Sequence, residues 1–123
     1  MIIGIGIDIV EVARMDTAEG FLSRILHPDE FAYVTSSGEL TAVLAAARFA
    51  AKEALGKALG VGLRGFSLKD VRVVHRDGGK PDLVLEGKAL ELFRSSGGTR
   101  VHLSLSHERH YASAVVIIEG DHR

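Results

Sequence analysis

Ile3, Ile5, Ile7 and Ile9 alternate with Gly4, Gly6, Asp8 and Val10 at the start of the chain. A period of two is that of a β-strand, here with one bulky face and one nearly bare face from which Asp8 projects. Glu11 to about Leu26 has helical spacing, interrupted near Asp16 to Gly20. Pro28-Asp29-Glu30 opens another short helix, with proline and acids in the first turn, where they suit the helix dipole. Ser36-x-x-Glu39 has the form of a capping box and predicts the start of a long helix that Gly60 closes. Helical spacing sets Leu40, Leu44, Ala47, Ala51, Ala54, Leu55 and Ala58 in one apolar stripe. Phe49, Glu53, Gly56, Lys57 and Gly60 fall on the opposite side. Gly56 costs about 1 kcal/mol relative to alanine inside a helix, so it calls for a close neighbour.

Val61 to Gly65 reads as a glycine-rich turn, residues 68–75 as a strand, 76–81 as a turn and 82–86 as a returning strand. Residues 87–96 have helical spacing and stop at Gly97-Gly98. Val101, Leu103 and Leu105 alternate with His102, Ser104 and Ser106, and after residues 107–110 the chain returns through Ala112 to Ile118. One strand, several helices, then largely antiparallel strands with one helix inserted is an α+β order. Neither a repeat nor a linker divides the 123 residues, so residues 1–123 are expected to form a single domain.

Composition narrows the function. With 46% hydrophobic residues and two prolines, the chain can build a core and is not a disordered polymer. The absence of cysteine excludes disulfides and thiolate metal sites and fits a reducing compartment. Met1-Ile2-Ile3-Gly4 lacks a basic leader, and no apolar run approaches the roughly 20 residues of a membrane span. The expectation is a cytoplasmic protein without a membrane partner. A net charge of −1 argues against a strongly basic nucleic-acid binder, and 6% aromatic residues leave little for base stacking.

Several apparent motifs fail on spacing. Gly4-x-Gly6 has no third glycine and no helix behind it, so it is not a dinucleotide fingerprint. His107 and His110 are three apart, not four, and sit at an expected hairpin, unlike a zinc-protease box. Gly56-Lys57 lacks the upstream glycine of a phosphate loop, and Ser106 beside His107 has no acid in a triad order. Asp8 and Glu53 are stronger. If the end of the first strand meets the long helix, two carboxylates converge, a donor set suited to a hard ion such as Mg²⁺. The other reading is two separate acids in ordinary salt bridges. Lys57, one turn from Glu53, is an i,i+4 partner worth about 0.2–0.5 kcal/mol, or a counter-charge for phosphate. Arg48 and Lys52 lie to one side of this face, and Lys52 is expected to be ordinary surface charge.

Three blocks then act together. They are Gly6-Ile7-Asp8-Ile9-Val10 with Arg14; Arg48-Phe49-Ala50-Ala51-Lys52-Glu53-Ala54 running on to Lys57-Ala58-Leu59-Gly60; and Leu105-Ser106-His107 leading to Tyr111-Ala112-x-Ala114-Val115. In this order and length the chain closely resembles the holo-acyl-carrier-protein synthases of the 4′-phosphopantetheinyl transferase superfamily. The resemblance implies that fold, a mostly antiparallel sheet wrapped by a long helix and shorter helices, assembled as a homotrimer with sites at the subunit boundary. It implies transfer of phosphopantetheine from coenzyme A to a serine of apo-acyl carrier protein in fatty-acid biosynthesis, releasing 3′,5′-ADP. It places Asp8 and Glu53 as Mg²⁺ ligands and Lys57 on the pyrophosphate. Arg48, Ser106, His107 and Gly79-Lys80-Pro81 would lie near the adenosine and its 3′-phosphate, and Arg14 would dock the acidic carrier. Glu53, directly or through a water, is the candidate base. Sites at the subunit boundary would have the strand and the long helix meet across two chains rather than within one. A Mg²⁺-dependent phosphohydrolase of nucleotide pyrophosphates, or a trimeric nucleotide-binding module, would use the same carboxylates.

Overall fold

The computed structural model describes residues 1–121, apart from the side chain of Leu63. Strand β1 spans Ile2–Glu11, and three helices follow: α1 (Glu19–Ile25), α2 (Pro28–Thr35) and α3 (Thr41–Leu59). Strands β2 (Val71–His75) and β3 (Pro81–Leu85) form an antiparallel hairpin. Helix α4 (Gly87–Ser95) leads to β4 (Gly98–His107) and β5 (Tyr111–Gly120). The second sheet has the order β1-β5-β4, antiparallel throughout. The α+β reading therefore holds.

The bare face of β1 is the one that packs. A Cβ on Gly6 would stand 1.9 Å from the carbonyl oxygen of Ala54, and one on Gly4 would stand 2.3 Å from that of Ala58. Two glycines thus let the backbone of α3 lie directly on the strand. Strand and long helix meet within one chain. The bulky face points outward instead, with Ile5, Ile7 and Ile9 at 60%, 65% and 66% exposure. On the inner side, Ala50, Ala51, Ala54 and Leu55 of α3 pack with Val73, Leu83, Leu103 and Val116 in the main core.

Several expectations change. Asp16 accepts a hydrogen bond from the amide of Ala18, so the expected interrupted helix becomes a 3-10 turn at Val12–Arg14 followed by α1. The Ser36/Glu39 capping box does not form. Gly38 takes φ +65° and a short 3-10 turn at Gly38–Leu40 precedes α3, while the Ser36 hydroxyl donates back to the Tyr33 carbonyl. The capping box that does form is on α2, where the His27 ring accepts from Asp29 and Glu30 accepts from the His27 amide. Residues 68–70 are a 3-10 turn, so β2 starts at Val71. Leu40 is 54% exposed and leaves the apolar stripe. Lys52 and Arg48 are buried rather than surface charges. Their side of α3 is covered by α1 and α2, whose Leu22, Ile25, Leu26 and Val34 form a second cluster with Ala45. Helical periodicity located one buried face, but α3 is covered on two.

Gly56 and Gly60 also have local explanations. A Cβ on Gly56 would stand 2.6 Å from the carbonyl oxygen of Gly62, so the chain's own following turn fills that space. Gly60 takes φ +77° as the left-handed end of α3, its amide bonding back to Gly56 and Lys57.

Candidate functional site

Asp8 sits on the packed side of β1, two residues past Gly6, where the strand runs over the C-terminal half of α3. Lys57 reaches across from the helix. Its ammonium donates to the carbonyl oxygen of Ile7 at 2.9 Å and to Asp8 Oδ1 at 3.1 Å. Its bridge therefore runs to the strand and ties the two elements together. Glu53 lies one turn earlier on α3. Its carboxyl is held above the usual carboxylate range, first by burial and then by the charge of Asp8, with Lys57 opposing. Two mutually repelling carboxylates beside a carbonyl oxygen make a hard, oxygen-rich donor set, and a bound cation would relieve the repulsion. Among the described residues no third acid or histidine joins them. Two protein carboxylates suit Mg²⁺, which keeps several waters and takes further oxygens from phosphate.

Asp8, Lys57 and Ser113 line a groove of about 440 Å³ together with the exposed Ile7 and Ile9. The other expected site residues lie elsewhere on the chain. Gly78 and Gly79, at φ +78° and +81°, turn the β2–β3 hairpin, and the Arg76 amide closes it onto Lys80 O at 2.8 Å. Lys80 and Pro81 then line a separate groove of about 580 Å³ with Arg76, Asp82, Arg100 and His102. No motif marks Arg76, Arg100 or His102. Only the alternation of β4 sets Arg100 and His102 on one face, and only the hairpin brings Lys80 to them. His107 lines a third groove with Val12, Leu40, Val43 and Arg109, about 440 Å³ in volume. Ala114 is opposite both Asp8 and Leu105, so the Ser106–His107 corner is two strands from Asp8, about 10 Å across the sheet.

Arg14 is open to solvent, its side chain 84% exposed and 3.8 Å from Glu11. Arg48 is not. It is 3% exposed, donates to the Leu44 carbonyl at 3.3 Å and lies 5.1 Å from the centroid of the Tyr33 ring. Burial lowers its pKa, with Glu30 and Tyr33 opposing. Its Nε is without a hydrogen-bond partner among the described residues.

Known proteins resemble this chain over nearly its full length. Residues 4–116 match the sequence model of the 4′-phosphopantetheinyl transferase superfamily. The holo-[acyl-carrier-protein] synthase of Treponema denticola is 50% identical, the match covering 98% of this chain and 100% of that one. The crystal structure of the Neisseria meningitidis holo-[acyl-carrier-protein] synthase superposes with a TM-score of 0.87 at 35% identity, over 97% of this chain and 99% of that one. The Bacillus anthracis synthase, solved in complex with coenzyme A (3′,5′-ADP), superposes with a TM-score of 0.83 at 37% identity, over 98% and 99% of the two chains.

Proposed function

The chain belongs to the 4′-phosphopantetheinyl transferase superfamily, among its holo-[acyl-carrier-protein] synthases, and from that premise we propose how its own residues carry out the reaction. The enzyme transfers the phosphopantetheine group of coenzyme A to a serine of apo-acyl carrier protein and releases 3′,5′-ADP, the carrier modification that fatty-acid synthesis requires. The observation that carries the residue assignment is the meeting of Asp8, Glu53 and Lys57 at the contact of β1 with α3.

Asp8 and Glu53 would hold Mg²⁺. The ion would supply charge neutralisation for the phosphoryl group under attack and for the departing one. Lys57 adds a fixed positive charge at the same pyrophosphate, already held in place by Ile7 O and Asp8. The carrier serine oxygen bonds to the phosphorus that bears pantetheine, the bond from that phosphorus to the bridging oxygen breaks, and 3′,5′-ADP leaves with the electron pair. Glu53 takes the serine proton. Little covalent help from the protein is needed, because such displacements depend chiefly on alignment and charge neutralisation.

The whole chain, residues 1–123, serves as one catalytic domain, and three copies assemble with the sites between them. Two observations support this. Ile5, Ile7 and Ile9 stand in register with Ile117, Val115 and Ser113 on the outer face of the sheet, an apolar surface of the kind that marks an interface. Ile7 and Ile9 also line the Asp8–Lys57 groove, so a partner covering the isoleucines would border the reaction site. Ser106, His107, Gly79, Lys80 and Pro81 then contact the adenosine and 3′-phosphate from a neighbouring copy, which accounts for the placement of His107, Lys80 and Pro81 in grooves apart from Asp8. Arg48 is assigned to the same end, although it lies buried beside Tyr33 in this structure. Arg14 docks the acidic carrier. Absence of cysteine suits work in the cytoplasm.

The test is to incubate the protein with Mg²⁺, coenzyme A and an apo-carrier protein and to weigh the carrier by mass spectrometry. A phosphopantetheine adduct is expected, and it should be lost on chelation and in Asp8→Ala. Hydrolysis of coenzyme A without an adduct would refute the transfer reading.

A further inference from the structure

Lys52 carries a charge into the interior and takes no part in the chemistry above. It is 0% exposed. Its ammonium donates to Ile25 O at the end of α1 at 2.7 Å, to Glu30 Oε1 on α2 at 2.6 Å and to Leu68 O before β2 at 3.0 Å. All three N–H donors are thereby engaged. Glu30 extends the network, accepting from the His27 amide at 3.0 Å and, through Oε2, from the Val73 amide at 2.8 Å. Desolvation lowers the pKa of Lys52, and Glu30 is what opposes it.

Stability alone does not call for such a pair. Apolar residues of similar volume often replace a buried ion pair without loss, whereas directional bonds specify one arrangement. Lys52 lies immediately before Glu53, so its anchors hold α1, α2 and β2 to the same turn of α3 that carries the reacting carboxylate. The turn at Arg14 adjoins those helices, because the neighbouring Met15 packs between the cluster of Leu22, Ile25 and Leu26 and the residues Ala46, Ala47 and Ala112.

We infer that Lys52 is a positioning residue: through Ile25 O, Glu30 and Leu68 O it fixes where the α1–α2 unit stands relative to the Glu53 turn, and so where a docked carrier presents its serine. This rests on the proposed docking of the carrier at Arg14. A shift of about 1 Å at a reacting centre can cost on the order of 10²-fold in rate.

The test is the double substitution Lys52→Met with Glu30→Gln, which removes both charges but keeps an acceptor for Val73. Thermal unfolding, coenzyme A binding by calorimetry and steady-state kinetics against the carrier are measured together. The expected result is a folded protein that binds coenzyme A within twofold of normal, with kcat at least tenfold lower and the carrier KM changed less than kcat. A folded variant with kcat within twofold of normal would overturn the inference. Should the double variant not fold, Glu30→Gln alone serves: it should lower kcat severalfold without moving coenzyme A affinity, and a normal kcat there is equally fatal. Failure of the docking reading shows separately, as an unchanged carrier KM in Arg14→Glu.

Discussion

Replacing Gly6 by alanine tests the link between packing and chemistry most directly. The new Cβ would fall 1.9 Å from Ala54 O and 2.8 Å from Ala58 N, whereas ordinary contact begins near 3.4 Å, so strand and helix must part by about 1.5 Å. The obstructing atoms are backbone, and no rotamer change relieves them. Overpacking of this kind costs about 1–3 kcal/mol, and two facing backbones put this case near the upper end. Stiffening of the unfolded chain offsets about 0.4–1 kcal/mol, leaving roughly 2 kcal/mol. In a domain of this size that is a fall of about 6–10 °C in Tm. The catalytic loss should be larger in proportion. Ala54 adjoins Glu53 and Gly6 lies two residues before Asp8, so the displacement falls between the two carboxylates and pulls Lys57 from its anchor on Ile7 O. A shift above 1 Å there predicts a loss of about 10²-fold in turnover. The assay is phosphopantetheine transfer to apo-carrier at saturating coenzyme A, well below the unfolding midpoint, with Tm read by calorimetry. Gly4→Ala, whose Cβ would stand 2.3 Å from Ala58 O, should be milder because it lies a further two residues from Asp8. Gly20→Ala, with open space around its Cβ in α1, should be neutral or slightly stabilising. A Gly6→Ala enzyme with normal Tm and normal turnover would refute the close-packing account.

Three further outcomes are expected. Glu53→Gln should reduce turnover by at least 10²-fold, and a variant keeping both normal metal affinity by calorimetry and normal rate would remove Glu53 as the base. Arg14→Glu should raise the KM for carrier about tenfold while leaving that for coenzyme A within twofold, since it reverses charge at the docking surface alone; equal damage to both would exclude the docking role. Ile7→Glu places charge on the exposed isoleucine face, so sedimentation should show dissociation of the proposed trimer and transfer should fall with it, whereas a monodisperse trimer with full activity would show that this face is not the interface.

Much was legible along the chain because it depends on local rules. Alternation over residues 3–10 marks β1, Gly60 marks the end of α3, and the strand-turn-strand order of residues 68–86 marks the hairpin, three residues early at its start. Asp8 and Glu53 stood out because an acid beside glycines on an otherwise apolar strand or helix has few ordinary uses. The start of α3 is not legible in the sequence: Ser36-x-x-Glu39 carries the capping signature while Gly38, at φ +65°, turns the backbone out of the helical path. The buried pair of Lys52 and Glu30, 22 residues apart, has no one-dimensional signature at all.

The sequence by itself determined the family and the α+β order and singled out Asp8, Glu53 and Lys57 as candidates, since three motif blocks in fixed order survive without knowledge of contacts. The tertiary structure decided which faces are inside. Period-two alternation shows that a strand has two unlike faces, yet it cannot say that the glycine face of β1 is the packed one and the isoleucine face the open one. Helical spacing likewise cannot report that α3 is enclosed on two sides, which turns Lys52 from a surface charge into a tether and makes Lys57 bridge to Asp8 rather than to its own helix. Both outcomes follow from what lies opposite, and a residue's opposite number in a folded chain is set by long-range packing, not by its neighbours in sequence.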